Sequence, residues 1–186
     1  SSGSGIGSDV RPEPGGAVAS DGGGASSRRV LIVGFGNTLR RDDGVGVRAA
    51  ELLAAYPRLA DGDVQIRAAY QLLPEMALDM GAVSLVIFVD ADLRGLPGSI
   101  EVRPIVADAP RSDVDARAEP GASSHHVGGG ELVALAAALT GHRPEAVAVG
   151  IGVADTELGE GLSPAVEAAL PRVVEVVARL VGQHLA

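Results

Sequence analysis

Ser84-Leu85-Val86-Ile87-Phe88-Val89-Asp90 is the stretch that decides the fold. Leu85 to Val89 is apolar at every position, of strand length, and rich in the branched and aromatic residues that suit extended backbone. A strand with no polar alternation must be covered on both faces, which places it at the centre of a sheet sandwiched by helices. Upstream, Val30 to Val33 is a second aliphatic run, ending in the tight turn Gly34-Phe35-Gly36. Gly44 to Tyr56 then carries Val47, Ala50, Leu53 and Ala54 at helical spacing. Val64 to Ala69 reads as a strand and Pro74 to Met80 as a short helix.

Downstream, Gly95-Leu96-Pro97-Gly98 makes a turn into a strand at Ser99 to Ile105. So short a link points to antiparallel pairing with the strand before it, because a parallel crossover needs about a dozen residues. Val106 to Ser123 has no periodicity and reads as a long loop. A helix at Gly130 to Leu139 and a strand at Ala146 to Ile151 follow. The last helix opens with Ser163 as N-cap and Pro164 at its first position, and Pro171 within it should kink or split it. Strands alternating with helices predict a single three-layer α/β/α domain over 29–186 with a mostly parallel sheet.

Composition narrows the chemistry. Hydrophobic residues are 46% of the chain but aromatic residues only 2%, so the core is aliphatic. The formal net charge of −9 opposes the phosphate-driven attraction on which nucleic-acid binding rests. There is no Cys, which removes disulfides, thiolate metal sites and cysteine nucleophiles. There is no Lys either, which removes Schiff-base chemistry and a Lys-bearing phosphate loop. No apolar run reaches the roughly 18 residues of a membrane span. Ser1 to Ser27 is rich in Gly, Ser and Pro and reads as a disordered tail over 1–28 without the pattern of a secretory signal. The expectation is a cytoplasmic protein that binds neither nucleic acid nor membrane.

Three places could carry chemistry. Gly34-Phe35-Gly36-Asn37-Thr38-Leu39-Arg40-Arg41-Asp42-Asp43-Gly44-Val45-Gly46 has a strand–Gly-x-Gly–helix layout. As a dinucleotide loop it lacks the third Gly, and its two Asp stand where a pyrophosphate needs positive potential. Asp42 or Asp43 could simply cap the helix, although one cap is enough. Asp90 sits at the end of the central strand, where a carboxylate needs a partner or a cation, with Asp92 close behind. His125 and His126 lie in Ser123-Ser124-His125-His126-Val127-Gly128, a glycine-rich lead into a helix. His142 and His184 read as polar surface. Two carboxylates and an imidazole suit nickel, zinc or manganese, but their spacing does not itself bring them together.

These segments resemble the hydrogenase maturation proteases. Gly34-x-Gly36-Asn37-x-Leu39-x-x-Asp42-Asp43-Gly44-x-Gly46 is similar to the N-terminal signature of that family, Val86 to Ala91 to its central strand, and Ser123 to Gly128 to its histidine loop. Val149 to Gly152 and Leu162 to Glu167 resemble its closing elements, so the likeness runs in order from Arg29 to Leu180. It implies a five-stranded twisted sheet of phosphorylase/hydrolase-like type between helical layers. It also implies an endopeptidase that removes the C-terminal extension of the nickel–iron hydrogenase large-subunit precursor. By position, Asp43, Asp90 and His125 become the metal-contacting and catalytic residues, with nickel supplied by the precursor. Two features depart from the pattern: many members have Glu where this chain has Asp43, and Ala69-Tyr70-Gln71-Leu72-Leu73-Pro74-Glu75 replaces an Asp-Gly-Gly-Thr-type segment. The second departure suggests a different hydrogenase class as client.

Two rivals remain at this level. Peptidyl-tRNA hydrolases share a related sheet and a Gly-x-Gly-Asn turn, but need a His soon after it and a basic groove. A nickel-sensing chaperone that grips the precursor without cutting it would use the same three residues.

Overall fold

The computed structural model describes residues 29–60, 62–106 and 128–186. The expected tail over 1–28 and nearly all of the long loop lie outside the described residues. Five strands form one sheet: β1 (Val30–Phe35), β2 (Val64–Ala69), β3 (Leu85–Asp92), β4 (Ile100–Pro104) and β5 (Glu145–Gly152). The helices are α1 (Val45–Ala54), α2 (Ala77–Met80), α3 (Gly129–Thr140) and α4 (Pro164–Leu185). Short 3₁₀ turns precede α1 at Arg41–Gly44 and α2 at Pro74–Met76.

The strand order is β2-β1-β3-β5-β4, with all neighbours parallel except β4 against β5. The apolar run Leu85 to Val89 is indeed central. Alternation along it then divides the core in two. Ile32, Leu85, Ile87, Val89, Val149 and Ile151 face α1 and α4, packing on Ala49, Leu53, Leu170, Val173 and Val177. Leu31, Val33, Val86 and Phe88 face α2 and α3, packing on Met80, Leu132 and Ala136. Burying a Leu or Ile side chain is worth about 1.5–3 kcal/mol, so each layer is held by its aliphatic stripe.

Several expectations change. β4 is antiparallel as anticipated, but its partner is β5 and not the preceding β3. The reason is occupancy: β1 and β5 already pair with both edges of β3, so the chain crosses to the free edge of β5. The crossing is secured by the Gly98 N–H donating to Gly152 O at 2.8 Å. β3 also extends past Asp90 to Asp92, because β5 runs alongside and pairs Ala91 and Asp92 with Ile151 and Gly152. In α1 the buried stripe is Val45, Ala49, Ala50 and Leu53, while Ala54 is exposed. Pro171 does not split α4; its ring is exposed, and the buried residues on either side keep the helix on the sheet. Among the described residues no helix is long and apolar enough to cross a membrane.

Candidate active site

The carboxyl ends of β1 and β3 lie side by side, with Gly34 in register with Val89. The loop leaving β1 therefore starts beside Asp90. Two glycines let it fold back tightly. Gly36 adopts φ 141, and a Cβ there would overlap the carbonyl of Asp43. At Gly46 a Cβ would overlap the carbonyl oxygens of both Phe35 and Val89, so the first turn of α1 rests directly on the two strand ends. The 3₁₀ turn that carries Asp42 and Asp43 is thereby delivered to the tip of the central strand.

Asp43 is half-buried, and its Oδ2 accepts the Asn37 N–H at 2.9 Å. Asn37 in turn accepts the Leu39 N–H through Oδ1 at 2.9 Å and donates Nδ2 to the Tyr70 hydroxyl at 2.8 Å. Asp90 is also half-buried, and its Oδ1 accepts the Ala91 N–H at 2.7 Å. Burial pushes its carboxyl up to about 7, the Ala91 N–H opposes that, and the negative charges of Asp43 and Asp92 add to it. Two of the three residues singled out in the sequence thus meet. Asp92 is buried beside them, but its Oδ1 is engaged by the Arg94 N–H at 3.0 Å and its Oδ2 lies 3.8 Å from Arg103.

His125 and His126 lie outside the described residues. Among the described residues no group of three or more ligating side chains could hold a metal ion.

Asp42 does not cap the helix, as its position suggested it could. It is fully buried, with no side-chain bond to the start of its own helical turn. Its Oδ2 accepts the Ala154 N–H at 2.9 Å, the Asp155 N–H at 3.0 Å and the Ser163 hydroxyl at 2.8 Å, while Oδ1 accepts the Ser163 N–H. Burial would raise this carboxyl, and the four donors outweigh it and hold the group below its ordinary value of 3.8. Ser163 stands at the N-cap position of α4, yet its hydroxyl goes to Asp42 instead of capping.

Further bonds join the same two segments. The Arg41 N–H donates to Gly159 O, the Gly159 N–H to Leu39 O, and the Asp42 N–H to Asp155 O. Arg41 has φ 46, the one left-handed non-glycine backbone among the described residues, and its Nη1 lies 3.4 Å from Asp155 Oδ2. No local pattern announces these contacts, because they join residues more than a hundred positions apart. Asn37 stood in the quoted motif without a role.

His142 and His184 are likewise not free surface. Their Nε2 atoms lie 2.7 Å from Val83 O and from Ser84 Oγ respectively. Both secure helix ends at the amino-terminal side of the sheet, away from the carboxylates.

Comparison with known proteins shows what the chain is similar to. No family model matches the chain. The hydrogenase expression/formation protein HupM of Azotobacter chroococcum is 33% identical over 134 residues, covering 71% of this chain and 61% of HupM. The hydrogenase maturating endopeptidase HybD of Escherichia coli superposes with a TM-score of 0.68 at 26% identity, over 83% of this chain and 93% of HybD. This chain is similar to the hydrogenase maturation proteases. The hydrogenase 2 maturation peptidase of a Thaumarchaeota archaeon gives a TM-score of 0.61 at 29% identity, over 85% of this chain and 99% of that one. The maturation-protease fold, a five-stranded mostly parallel sheet between helices, is therefore the fold of this chain. The chain spans about three fifths of the length of the curated relative that it matches.

Proposed function

We propose that this protein is an endopeptidase that removes the C-terminal extension of a nickel–iron hydrogenase large-subunit precursor. The observation that carries the reading is the meeting of Asp43 and Asp90 at the carboxyl end of the central strand, where the negative charge of Asp43 helps to raise the Asp90 carboxyl. Two like charges held together by the fold form a site whose complement is a cation. In an open α/β sheet this is also the end at which ligands bind. Nickel already seated in the precursor is that cation, and it belongs to the substrate. Oxygen donors of this kind accept such a metal, and docking it brings the adjoining peptide bond to the carboxylates. His125 is the third proposed contact and lies outside the described residues.

The chain's relatives support this reading, since HybD is named for hydrogenase maturation and endopeptidase activity. Tyr70, on the rim and bonded to Asn37, belongs to the segment that departs from the family pattern, which fits a client of a different hydrogenase class. The test is the intact mass of a nickel-loaded precursor before and after incubation with the protein. Loss of one discrete C-terminal peptide is expected, and no loss with Asp90→Asn, with His125→Ala or with nickel-free precursor. Full turnover by Asp90→Asn would remove the role assigned to that carboxylate.

A further inference from the structure

Asp42 and Asp43 are consecutive carboxylates on one 3₁₀ turn, and they point to different partners. Asp43 turns toward Asn37 and the strand ends, while Asp42 turns into the connection between β5 and α4. We propose that Asp42 and Ser163 are positioning residues that hold Asp43 in its working place, so that the β5–α4 connection is part of the catalytic apparatus. The inference rests on the function proposed above and extends it to residues that touch no substrate.

The geometry carries it in three steps. The two successive peptides that lead into Asp42 and Asp43 are each fixed, with the Asp42 N–H on Asp155 O and the Asp43 N–H on Arg40 O. The Asp42 carboxylate, wholly out of water, takes all four of its donors from Ala154, Asp155 and Ser163. Bonds to a buried charge are the strong ones, and they leave the turn little freedom. The other side-chain contacts between these segments involve Arg40 and Arg41, both exposed, and exposed pairs of that kind are weak. Asp42 is thus the main side-chain constraint on the turn from this side, added to the three backbone bonds that join the segments, and Asp43 lies one residue away. The Ser163 hydroxyl donates to the same buried carboxylate and makes no side-chain cap bond to α4, so the residue that opens α4 is tied to the turn.

The experiment compares Asp42→Asn, Ser163→Ala and Ser163→Thr with wild type in the full chain. Thermal midpoint, kcat and KM for precursor cleavage are measured, together with hydrogen exchange at the Asn37 amide, which reports where Asp43 Oδ2 sits. Asparagine turns one oxygen into a donor that faces backbone N–H groups. At a temperature well below its midpoint, Asp42→Asn should lose about 10²-fold in kcat, the size of effect expected from a misplacement of about 1 Å, with KM within about twofold. Its Asn37 amide should lose protection while the amides of β3 keep theirs. Ser163→Ala should lose about tenfold in kcat with the same exchange signature, and Ser163→Thr should restore both.

A lower midpoint with kcat and Asn37 protection intact would overturn the proposal and leave Asp42 as a brace of the fold alone. If Asp42→Asn does not fold, Ser163→Ala decides by the same readouts. Wild-type protein that leaves the precursor uncut would refute the function instead, and Asn37 exchange would still judge the positioning.

Discussion

Replacing Asp90 by Asn should make this protein more stable at neutral and alkaline pH while destroying the activity proposed for it. The carboxyl of Asp90 ionises at about 7 in the folded chain, against an ordinary 3.8, chiefly because burial strips its charge of water. Its folded-state value is raised, so its favourable contribution is complete below about pH 4 and is lost as the pH climbs through 7. At ~1.4 kcal/mol per pH unit, the interval from 3.8 to about 7 corresponds to an upper limit of roughly 4 kcal/mol. Asn keeps the shape and the acceptor for the Ala91 N–H, but it has no proton to lose. The assay is urea unfolding of wild type and Asp90→Asn from pH 4 to pH 8.5, reading the difference in unfolding free energy. That difference should move in favour of Asn by about 1.4 kcal/mol per pH unit from pH 4 to about pH 7, up to about 4 kcal/mol in all, and should level off above that. A difference that is flat with pH, or that moves toward wild type, would refute the claim that the fold holds this carboxyl against ionisation. Taking the difference removes the common titration of the other carboxylates. Both Asp43 and Asp92 raise Asp90, so Asp43→Asn should shift its midpoint downward.

Two further outcomes follow from the packing. Gly46→Ala places a methyl against the carbonyl oxygens of Phe35 and Val89, neither of which can yield without breaking strand pairing. Overpacking there should cost about 1–3 kcal/mol or more by denaturant midpoint, and cleavage should fall with it because Asp43 and Asp90 part; an unchanged midpoint would contradict the close approach. His184→Ala removes the contact between Nε2 and the Ser84 hydroxyl at the opposite end of the sheet. It should lower stability by about 1 kcal/mol and leave kcat unchanged, and a fall in kcat would mean that the two ends of the sheet are coupled.

The central strand, the Gly-x-Gly turn and the alternation of strands with helices could be read from the chain itself. Their signals are local: aliphatic runs at Val30 to Val33 and Leu85 to Val89, and apolar residues at helical spacing. Asp43 and Asp90 could be picked out as candidates, because a carboxylate at the end of a buried strand or before a glycine-rich helix start is conspicuous next to its neighbours. His125 was named on the same grounds and stands beyond the described residues. What the chain could not disclose alone is pairing at a distance. β4 chose β5 because the edges of β3 were taken, which depends on the whole sheet and not on the turn before it. Pro171 stays within one helix because burial on both sides outweighs a missing hydrogen bond. Asp42 looked like a cap and is instead a buried anchor for residues 154–163, which only a folded chain brings within hydrogen-bonding distance. Propensity and periodicity act within a few residues, and they settled the elements and the candidate chemistry. Solvent exclusion and hydrogen-bond satisfaction act between segments far apart in the chain, and they decided which carboxylate lies half-buried near the strand ends and which is wholly buried against residues 154–163.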